Sequence, residues 1–324
     1  MKTFLRRHRL VPVINDALTV YAAGPGALAR QLVADYMTAT GVPVNLVQGT
    51  TGRLLARLEA EASAPVADVL ILASWDAALE LERAQRLLPL SVAGAQQLPA
   101  GLRTECLLAQ AVSVLGLAWR EGAPGTPPDD WQGLLAPSLQ QRVIMPDPAQ
   151  SGATLDLLLG LDRAWGESLW ALLAHLRATG MVVAGSNSQA LTQLLRGEHD
   201  VVFGCVDYLA RARQADGAAL RFILPRTGTV SAARPMMVLK GARHAAQAQD
   251  FLAHVIGAPA QQRVSAAGLL PVWREGDDSP PWPASLPALQ SVSPVLHNTA
   301  RRALLARFAA LFDAPYGDIP LGWA

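Results

Sequence analysis

One local pattern occurs four times in this chain of 324 residues: an apolar strand, a turn of small polar residues and then a helix. The four turns lie at residues 23–26, 49–52, 151–154 and 185–188. Strands that alternate with helices in this way predict a parallel sheet covered by helices. Because the first N–H groups of a helix have no partner inside it, each turn is predicted to receive a negatively charged group.

Serine, threonine, asparagine and glycine also begin helices without any ligand, so each single turn is equally explained as a helix cap. The four turns together are more informative, because strand-to-helix turns gather at the carboxyl edge of an open α/β sheet, where ligands bind. The predicted anion-binding residues are Ala23, Gly24, Thr50, Thr51, Ser151, Gly152, Ala153, Ser186, Asn187 and Ser188.

Length and charge limit the classes of function. A chain of 324 residues suits two lobes, and a net charge of +1 provides no basic stripe, so no nucleic-acid partner is predicted. The chain contains no run of about twenty apolar residues, so no membrane-spanning helix is predicted. Residues 1–10 have the basic beginning of a signal peptide but lack the apolar stretch that should follow. The predicted partner is a small molecule or another protein surface.

Cysteines and catalytic motifs give mainly negative information. Cys106 and Cys205 permit one disulfide, but their apolar, strand-like surroundings favour buried free thiols. The chain has no zinc-ligand spacing, nucleophile elbow, Walker loop or dinucleotide fingerprint. We therefore predict neither a metal nor a cofactor, and no catalysis. An α/β enzyme that acts on a phosphate ester remains an alternative.

The order of predicted elements indicates two lobes. Strands and helices alternate at about residues 17–90 and again at 143–209, with a long apolar strand at 107–119 between them. Strand-like runs at 220–224 and 235–239 then lead back. This order predicts two α/β lobes joined by two crossover strands, with a ligand cleft between them. Lobe one is predicted to comprise residues 1–113 and 232–276, and lobe two residues 114–231 and 277–324.

Several short motifs, taken in order, carry a resemblance to a known family. They are LTVYAAG at 18–24, VQGTTG at 47–52, ADV at 67–69, WQGLL at 131–135, MPDP at 145–148, SNS at 186–188, GT at 228–229 and AAGLLPV at 266–272. Over about residues 17–272 the chain resembles the extracellular solute-binding proteins of ABC importers, in the ferric-ion-binding-like branch of the type II periplasmic binding proteins. The resemblance implies a monomeric, periplasmic, two-lobed clamp that delivers its solute to the membrane permease subunits of an ABC importer.

The predicted solute follows from departures within that resemblance. Ferric relatives hold iron with adjacent tyrosines on the second lobe, helped by a histidine after the first strand. Here Asp207, Tyr208 and Leu209 stand in place of the tyrosine pair, and residues 23–26 contain no histidine. A hard cation would find too few oxygen ligands. The resemblance then implies a small anionic solute, either a phosphonate such as 2-aminoethylphosphonate or a sugar phosphate, with ferric ion as the alternative.

Side chains across the cleft are predicted to bind the rest of the solute. The candidates are Tyr21, Trp75, Asp76, Asp207 and Tyr208. A solute ammonium group would bind a carboxylate and an aromatic face. Trp75 and Asp76 are also explained as a helix start, and Tyr21 as part of the core. Arg234 is predicted either to pair with an acid such as Asp207 or to reach the anion.

Overall fold

The computed structural model describes residues 16–272 and 298–313. The basic segment at residues 1–10 and most of the predicted lobe-two residues after 277 lie outside the described residues. The strands are β1 (Leu18–Ala23), β2 (Val44–Gly49), β3 (Val69–Ile71), β4 (Leu108–Arg120), β5 (Val143–Pro146), β6 (Val182–Ala184), β7 (Val201–Val206), β8 (Leu220–Ile223) and β9 (Ser231–Val238). The helices are α1 (Gly26–Thr40), α2 (Thr51–Ala60), α3 (Trp75–Arg83), α4 (Gly152–Trp165), α5 (Glu167–Ala178), α6 (Asn187–Leu195), α7 (Asp207–Ala215), α8 (Ala245–Ile256), α9 (Ala258–Ala266) and α10 (Asn298–Asp313).

The strands form a nine-stranded sheet in the order β2-β1-β3-β9-β4-β7-β5-β6, with β8 also paired to β4. Strand β1 pairs in parallel with β2 and β3, and β5 pairs in parallel with β6 and β7. These pairings confirm the two predicted parallel units. We call β1, β2, β3 and β9 with their helices the first half, and β5, β6, β7 and β8 with theirs the second half.

Strand β4 belongs to both halves. Its residues 108–114 pair with β9, and its residues 115–119 pair with β7. The returning chain runs beside it, since the N–H of Leu115 donates to the carbonyl of Val230 at 3.1 Å. The change of partner lies next to the predicted lobe boundary at 113/114, which itself stays a prediction. Two adjacent connections thus join the halves, as the alternation predicts.

Helix α1 shows why the predicted faces are buried. Leu28, Leu32, Val33 and Tyr36 recur at helical spacing, and all four are buried against the sheet. Each such side chain stabilises the fold by about 1.5–3 kcal/mol when it is fully buried. The helix ends at Gly41, whose positive φ of 74° allows its N–H to bond back to the helix.

Helix α10 packs against α3 and α4, and so contacts both halves. Arg301 forms an ion pair with Glu80 of α3, and Arg307 binds Glu167 of α5 through both carboxylate oxygens. Helix α10 lies in the range 277–324 that is predicted to belong to lobe two, yet it also contacts the first half through α3.

The two cysteines are free thiols, as predicted. Cys205 is buried, whereas Cys106 is only partly buried, so burial of both is wrong. Among the described helices, none is long and apolar enough to cross a membrane.

Asp68 is a buried acid at the beginning of β3 that connects several segments of the first half. Its carboxylate accepts hydrogen bonds from the N–H groups of Thr19 at 2.8 Å, Arg243 at 2.7 Å and His244 at 3.0 Å. One buried acid therefore joins the beginnings of β1 and β3 to the turn that leads into α8.

We expect Asp68→Ala to lower the free energy of unfolding by about 3 kcal/mol, because it leaves several N–H groups without their charged partner. Urea unfolding measures this loss. Asp35→Ala is the matched control, since Asp35 forms a more exposed ion pair with Arg263, whose loss is expected to change stability far less. Equal losses in the two variants would contradict the assigned role of Asp68.

Candidate functional site

A cavity of about 260 Å³ lies between the two halves, at the carboxyl ends of the parallel strands. Its lining includes residues of each of the four predicted turns, among them all ten predicted anion-binding residues, together with Tyr208. The predicted residues in the lining are Ala23, Gly24, Thr50, Thr51, Ser151, Gly152, Ala153, Ser186, Asn187, Ser188 and Tyr208. The helices α1, α2, α4 and α6 therefore begin at one cavity, and their first N–H groups give it positive potential. A role for these residues as solute contacts stays a prediction.

Two threonines of the first half hold their hydroxyl groups in fixed orientations. Thr50 caps α2, where its Oγ1 accepts the N–H of Arg53 at 3.3 Å. Thr51 Oγ1 accepts the N–H of Ala73 at 3.1 Å. Neither hydroxyl donates a hydrogen bond to another described residue. Each has an oxygen engaged with the protein and a proton available to an acceptor in the cavity.

Ser151 belongs to a buried network in the second half. Its Oγ accepts hydrogen bonds from the Thr154 hydroxyl at 2.9 Å and from Asn187 Nδ2 at 3.0 Å. Asn187 Oδ1 in turn accepts the N–H of Val206 at 3.1 Å. The network fixes the beginnings of α4 and α6 against the end of β7. The Thr154 hydroxyl is the acceptor among the described residues that the Ser151 proton can reach, so this proton points either to Thr154 or into the cavity.

Ser186 begins α6 in a capping box with Gln189. Its Oγ accepts the Gln189 N–H at 3.3 Å, and the Gln189 side chain accepts the Ser186 N–H at 2.7 Å. Thr50, Ser151 and Ser186 cap helices through their oxygens, which bears out the helix-cap interpretation. Each hydroxyl keeps its own proton as a donor, and anion binding by these residues stays a prediction.

Arg234 supplies a positive charge to the lining, although its side chain is only 1% exposed. Its guanidinium donates to the carbonyl of Ala23, and its Nε lies 3.5 Å from Gln110 Oε1. No carboxylate of the described residues forms an ion pair with it, so the predicted pairing with Asp207 is wrong. Burial lowers the pKa of Arg234 because the charged form loses its hydration.

Gly24 makes room for this guanidinium. A β-carbon at position 24 would overlap Arg234 Nη2 and lie 2.7 Å from its Cζ. The φ of 116° at Gly24 is also one that residues with side chains rarely adopt. Glycine at this turn therefore allows a buried cation to approach the backbone at the beginning of α1.

Tyr208 lies in the lining near Arg234 and is 8% exposed. Its hydroxyl makes no hydrogen bond to another described residue. Burial raises the pKa of Tyr208, while the nearby charge of Arg234 lowers it. The side chain is thus a neutral phenol that can donate a hydrogen bond into the cavity.

Tyr21 does not line the cavity, contrary to the prediction. Its side chain is fully buried in the first half, and its hydroxyl lies 2.8 Å from both carboxylate oxygens of Glu61. Arg57 lies over the Tyr21 ring at 4.8 Å. Burial and the bond to Glu61 raise the pKa of Tyr21 to about 12. The alternative assignment to the core describes Tyr21 better.

Asp207 also lies outside the cavity lining. Its Oδ1 accepts the N–H of Val114 at 3.0 Å, and its Oδ2 lies 3.3 Å from Arg211. Burial raises the pKa of this carboxyl. Asp207 thereby joins the middle of β4 to the beginning of α7, and its carboxylate does not face the solute position as predicted.

Trp75 and Asp76 begin α3, but a carboxylate of the protein already occupies this helix start. Asp156 of α4 accepts the Ser74 hydroxyl at 2.5 Å and the Trp75 N–H at 2.9 Å. Trp75 and Asp76 are both buried and neither lines the cavity. Burial, followed by the charge of Glu80, raises the pKa of Asp76 to about 6. The helix-start alternative therefore accounts for both residues.

Burial raises the pKa of Asp156 to about 8, against an ordinary value near 4. The folded protein thus holds this proton more tightly than the unfolded chain does. The stabilisation from the neutral carboxyl is complete below about pH 4 and is lost as the pH rises through about 8.

We expect the free energy of unfolding of Asp156→Asn, relative to wild type, to increase as the pH rises from about 5 to about 8. An asparagine carries no charge at any of these values, so it avoids the cost that the wild-type acid incurs. Urea titrations of both proteins across this range measure the difference. A constant difference would contradict the raised pKa.

Outside the predicted turns, sequence reasoning missed four further lining residues, Ala73, Gln150, Val206 and Leu209. Gln150, Val206 and Leu209 each directly neighbour a predicted site residue, so extending the predicted set by one position would have included them, whereas Ala73 lies two positions before Trp75. The structure removes the ion pair with Asp207 that the sequence allowed for Arg234, since Asp207 pairs with Arg211, and contact of Arg234 with an anion stays a prediction. Within the described part of the chain, no group of three acidic, histidine or cysteine side chains is placed to hold a metal.

The comparisons with known proteins agree with this geometry. The family described as bacterial extracellular solute-binding protein matches residues 18–270. The chain belongs to this family. It is also 23% identical to an uncharacterized protein of Haemophilus influenzae over 273 residues, which are 80% of this chain and 76% of that protein.

Solved structures of similar shape include a substrate-binding protein of an ABC transporter from Agrobacterium tumefaciens, with a TM-score of 0.79, 18% identity and coverage of 92% of this chain and 95% of that one. AfuA from Actinobacillus pleuropneumoniae, with fructose-6-phosphate bound, has a TM-score of 0.79 and 18% identity, with coverage of 92% of this chain and 98% of AfuA. Iron-bound HitA from Pseudomonas aeruginosa has a TM-score of 0.75 and 20% identity, with coverage of 91% of this chain and 99% of HitA. These likenesses confirm the type II periplasmic-binding-protein fold.

Proposed function

We propose that this protein is the periplasmic receptor of an ABC importer for a small phosphonate or phosphate ester, which it binds as a monomer in the cavity between its halves. Its further partners are the permease subunits of that importer. One observation carries the proposal: the cavity combines a buried arginine that forms no ion pair with any described residue and threonine hydroxyl groups that donate no hydrogen bond to a described residue.

The donors match the chemistry of a phosphonate or phosphate group. Such a group presents several oxygen acceptors and no obligatory donor, so it can accept hydrogen bonds from Thr51, Ser151 and the helix N–H groups at once. Its negative charge would compensate the buried guanidinium of Arg234, which otherwise loses hydration without gaining a counterion. One ligand group thus satisfies both features of the cavity.

The relatives bind chemically different solutes, as fructose-6-phosphate in AfuA and iron in HitA show. In the present cavity, Tyr208 is the tyrosine of the lining, and Arg234 lies close to it. A positive charge beside the phenol opposes binding of a metal cation at that place. The site therefore favours the anionic class of solute.

We expect phosphonates and phosphate esters to raise the melting temperature, with a stabilisation of about 2.7 kcal/mol when the solute is at a hundred times its dissociation constant. A thermal-shift screen over ethylphosphonate, 2-aminoethylphosphonate, sugar phosphates and ferric citrate measures this. Because Asp207 does not face the cavity, we expect the amine to add no affinity over ethylphosphonate. A shift with ferric citrate alone would overturn the anionic assignment.

We expect Arg234→Gln to weaken binding of the solute found in that screen by about 2 kcal/mol, roughly thirtyfold, because the hydrogen bond to a charged partner is lost. Calorimetry measures the affinities. Arg221→Gln is the matched control, since Arg221 forms an exposed ion pair with Glu121 and lies outside the lining. Unchanged affinity in Arg234→Gln would remove the anion from the position next to this residue.

A further inference from the structure

The two halves touch backbone to backbone beside the cavity. Gly52 is the second residue of α2, and its N–H points to the carbonyl of Gln150 at 3.5 Å. A β-carbon at position 52 would overlap the carbonyl oxygen of Ala149. Ala149 and Gln150 belong to the turn before α4 in the second half. Only a residue without a side chain permits this approach.

A second glycine forms the reciprocal contact from the opposite side. A β-carbon on Gly152, the first residue of α4, would lie 2.7 Å from Thr51 Oγ1 and 2.9 Å from Ser74 Cβ, both in the first half. The beginnings of α2 and α4 therefore meet at glycines on both sides of the cleft.

A buried carboxyl crosses the same boundary. Asp156 lies one turn into α4 and is 0% exposed. Its bonds at 2.5 Å and 2.9 Å go to Ser74 and Trp75 at the beginning of α3, in the first half. If the halves separate here, these three groups exchange their mutual bonds for bonds to water.

We infer that the contact of Gly52 with the 149–150 backbone and the contact of Asp156 with the α3 start form a closure latch, which sets solute affinity without touching the solute. Neither Gly52 nor Asp156 lines the cavity, so both act as positioning residues. The inference rests on the proposed site between the halves and not on the identity of its solute.

The link to affinity is a population effect. When only the closed form binds, the apparent dissociation constant equals the intrinsic constant divided by the closed fraction. A substitution that reduces the closed fraction tenfold therefore weakens binding tenfold, even though every solute contact is retained.

Gly52→Ala tests the latch because we expect it to stabilise helix α2 while it weakens solute binding. Alanine favours an α-helix more than glycine does, so α2 by itself gains stability. The added methyl group blocks the approach of Ala149. We expect an unchanged or higher unfolding midpoint without solute, together with about tenfold weaker binding by calorimetry.

Gly101→Ala is the matched control, since no atom lies within 4 Å of a β-carbon at that position in the short helix Ala100–Leu102 of the first half. Asp156→Ala provides a second test. Its control is Asp162→Ala on the same helix, whose carboxylate accepts Trp170 Nε1 at 2.6 Å within the second half. Asp156→Ala is expected to lose affinity, and Asp162→Ala to lose stability alone.

A distance measurement tests the latch independently of any solute. Fluorophores attached through Ala39→Cys on α1 and Ala212→Cys on α7, in a Cys106→Ser background, report the separation of the halves, because both alanines are exposed. We expect Gly52→Ala to lower the closed fraction relative to Gly101→Ala. Equal closed fractions, or equal affinities of the two variants, overturn the latch. A lowered closed fraction in a protein that binds no phosphonate or phosphate ester supports the latch and overturns the proposed solute.

Discussion

The pairing of β4 with β9 on one side and β7 on the other determines how the rest of the molecule is arranged. Because one strand serves both halves, the parallel units end their strands towards a common space. The beginnings of α1, α2, α4 and α6 meet there as a consequence of topology. A chain with the same four turns on two unconnected sheets would have four ordinary helix caps. The shared strand makes them the wall of one cavity.

The walls of that cavity use local chemistry for two purposes. The oxygens of Thr50, Ser151 and Ser186 satisfy helix N–H groups, which the fold requires, and the same hydroxyls keep a donor for the cavity. At the beginning of α3 the comparable position is filled from within, because Asp156 binds there. Helix starts of similar sequence therefore differ in whether a side chain from the other half already binds them.

This difference explains what the sequence could and could not predict. The four turns and the buried face of α1 depend on spacings of a few residues, so periodicity finds them. Asp156 and Ser74 are separated by 82 positions, and nothing local indicates that they meet. The same limit applies to Tyr21, whose partner Glu61 comes from α2's end, and to Asp207, whose acceptor role depends on Val114. From the sequence alone, Arg234 is one residue of a predicted strand. Its position at the cavity follows only from the pairing of β9 with β4.

The attachment of Arg234 to β9 has a consequence for how a ligand is received. The guanidinium is held by Ala23 at the end of β1 and lies near Gln110 on β4, so its position is fixed by the sheet and not by a loop. A charge carried on a rigid frame needs little reorganisation when its counterion arrives. The entropy lost on binding would then come mainly from the solute and from the relative motion of the two halves, and little from Arg234. In the proposed function, Arg234 recognises charge from the sheet, whereas Gly52 and Asp156 act on closure from α2 and α4, so the two properties would be altered by residues on different elements.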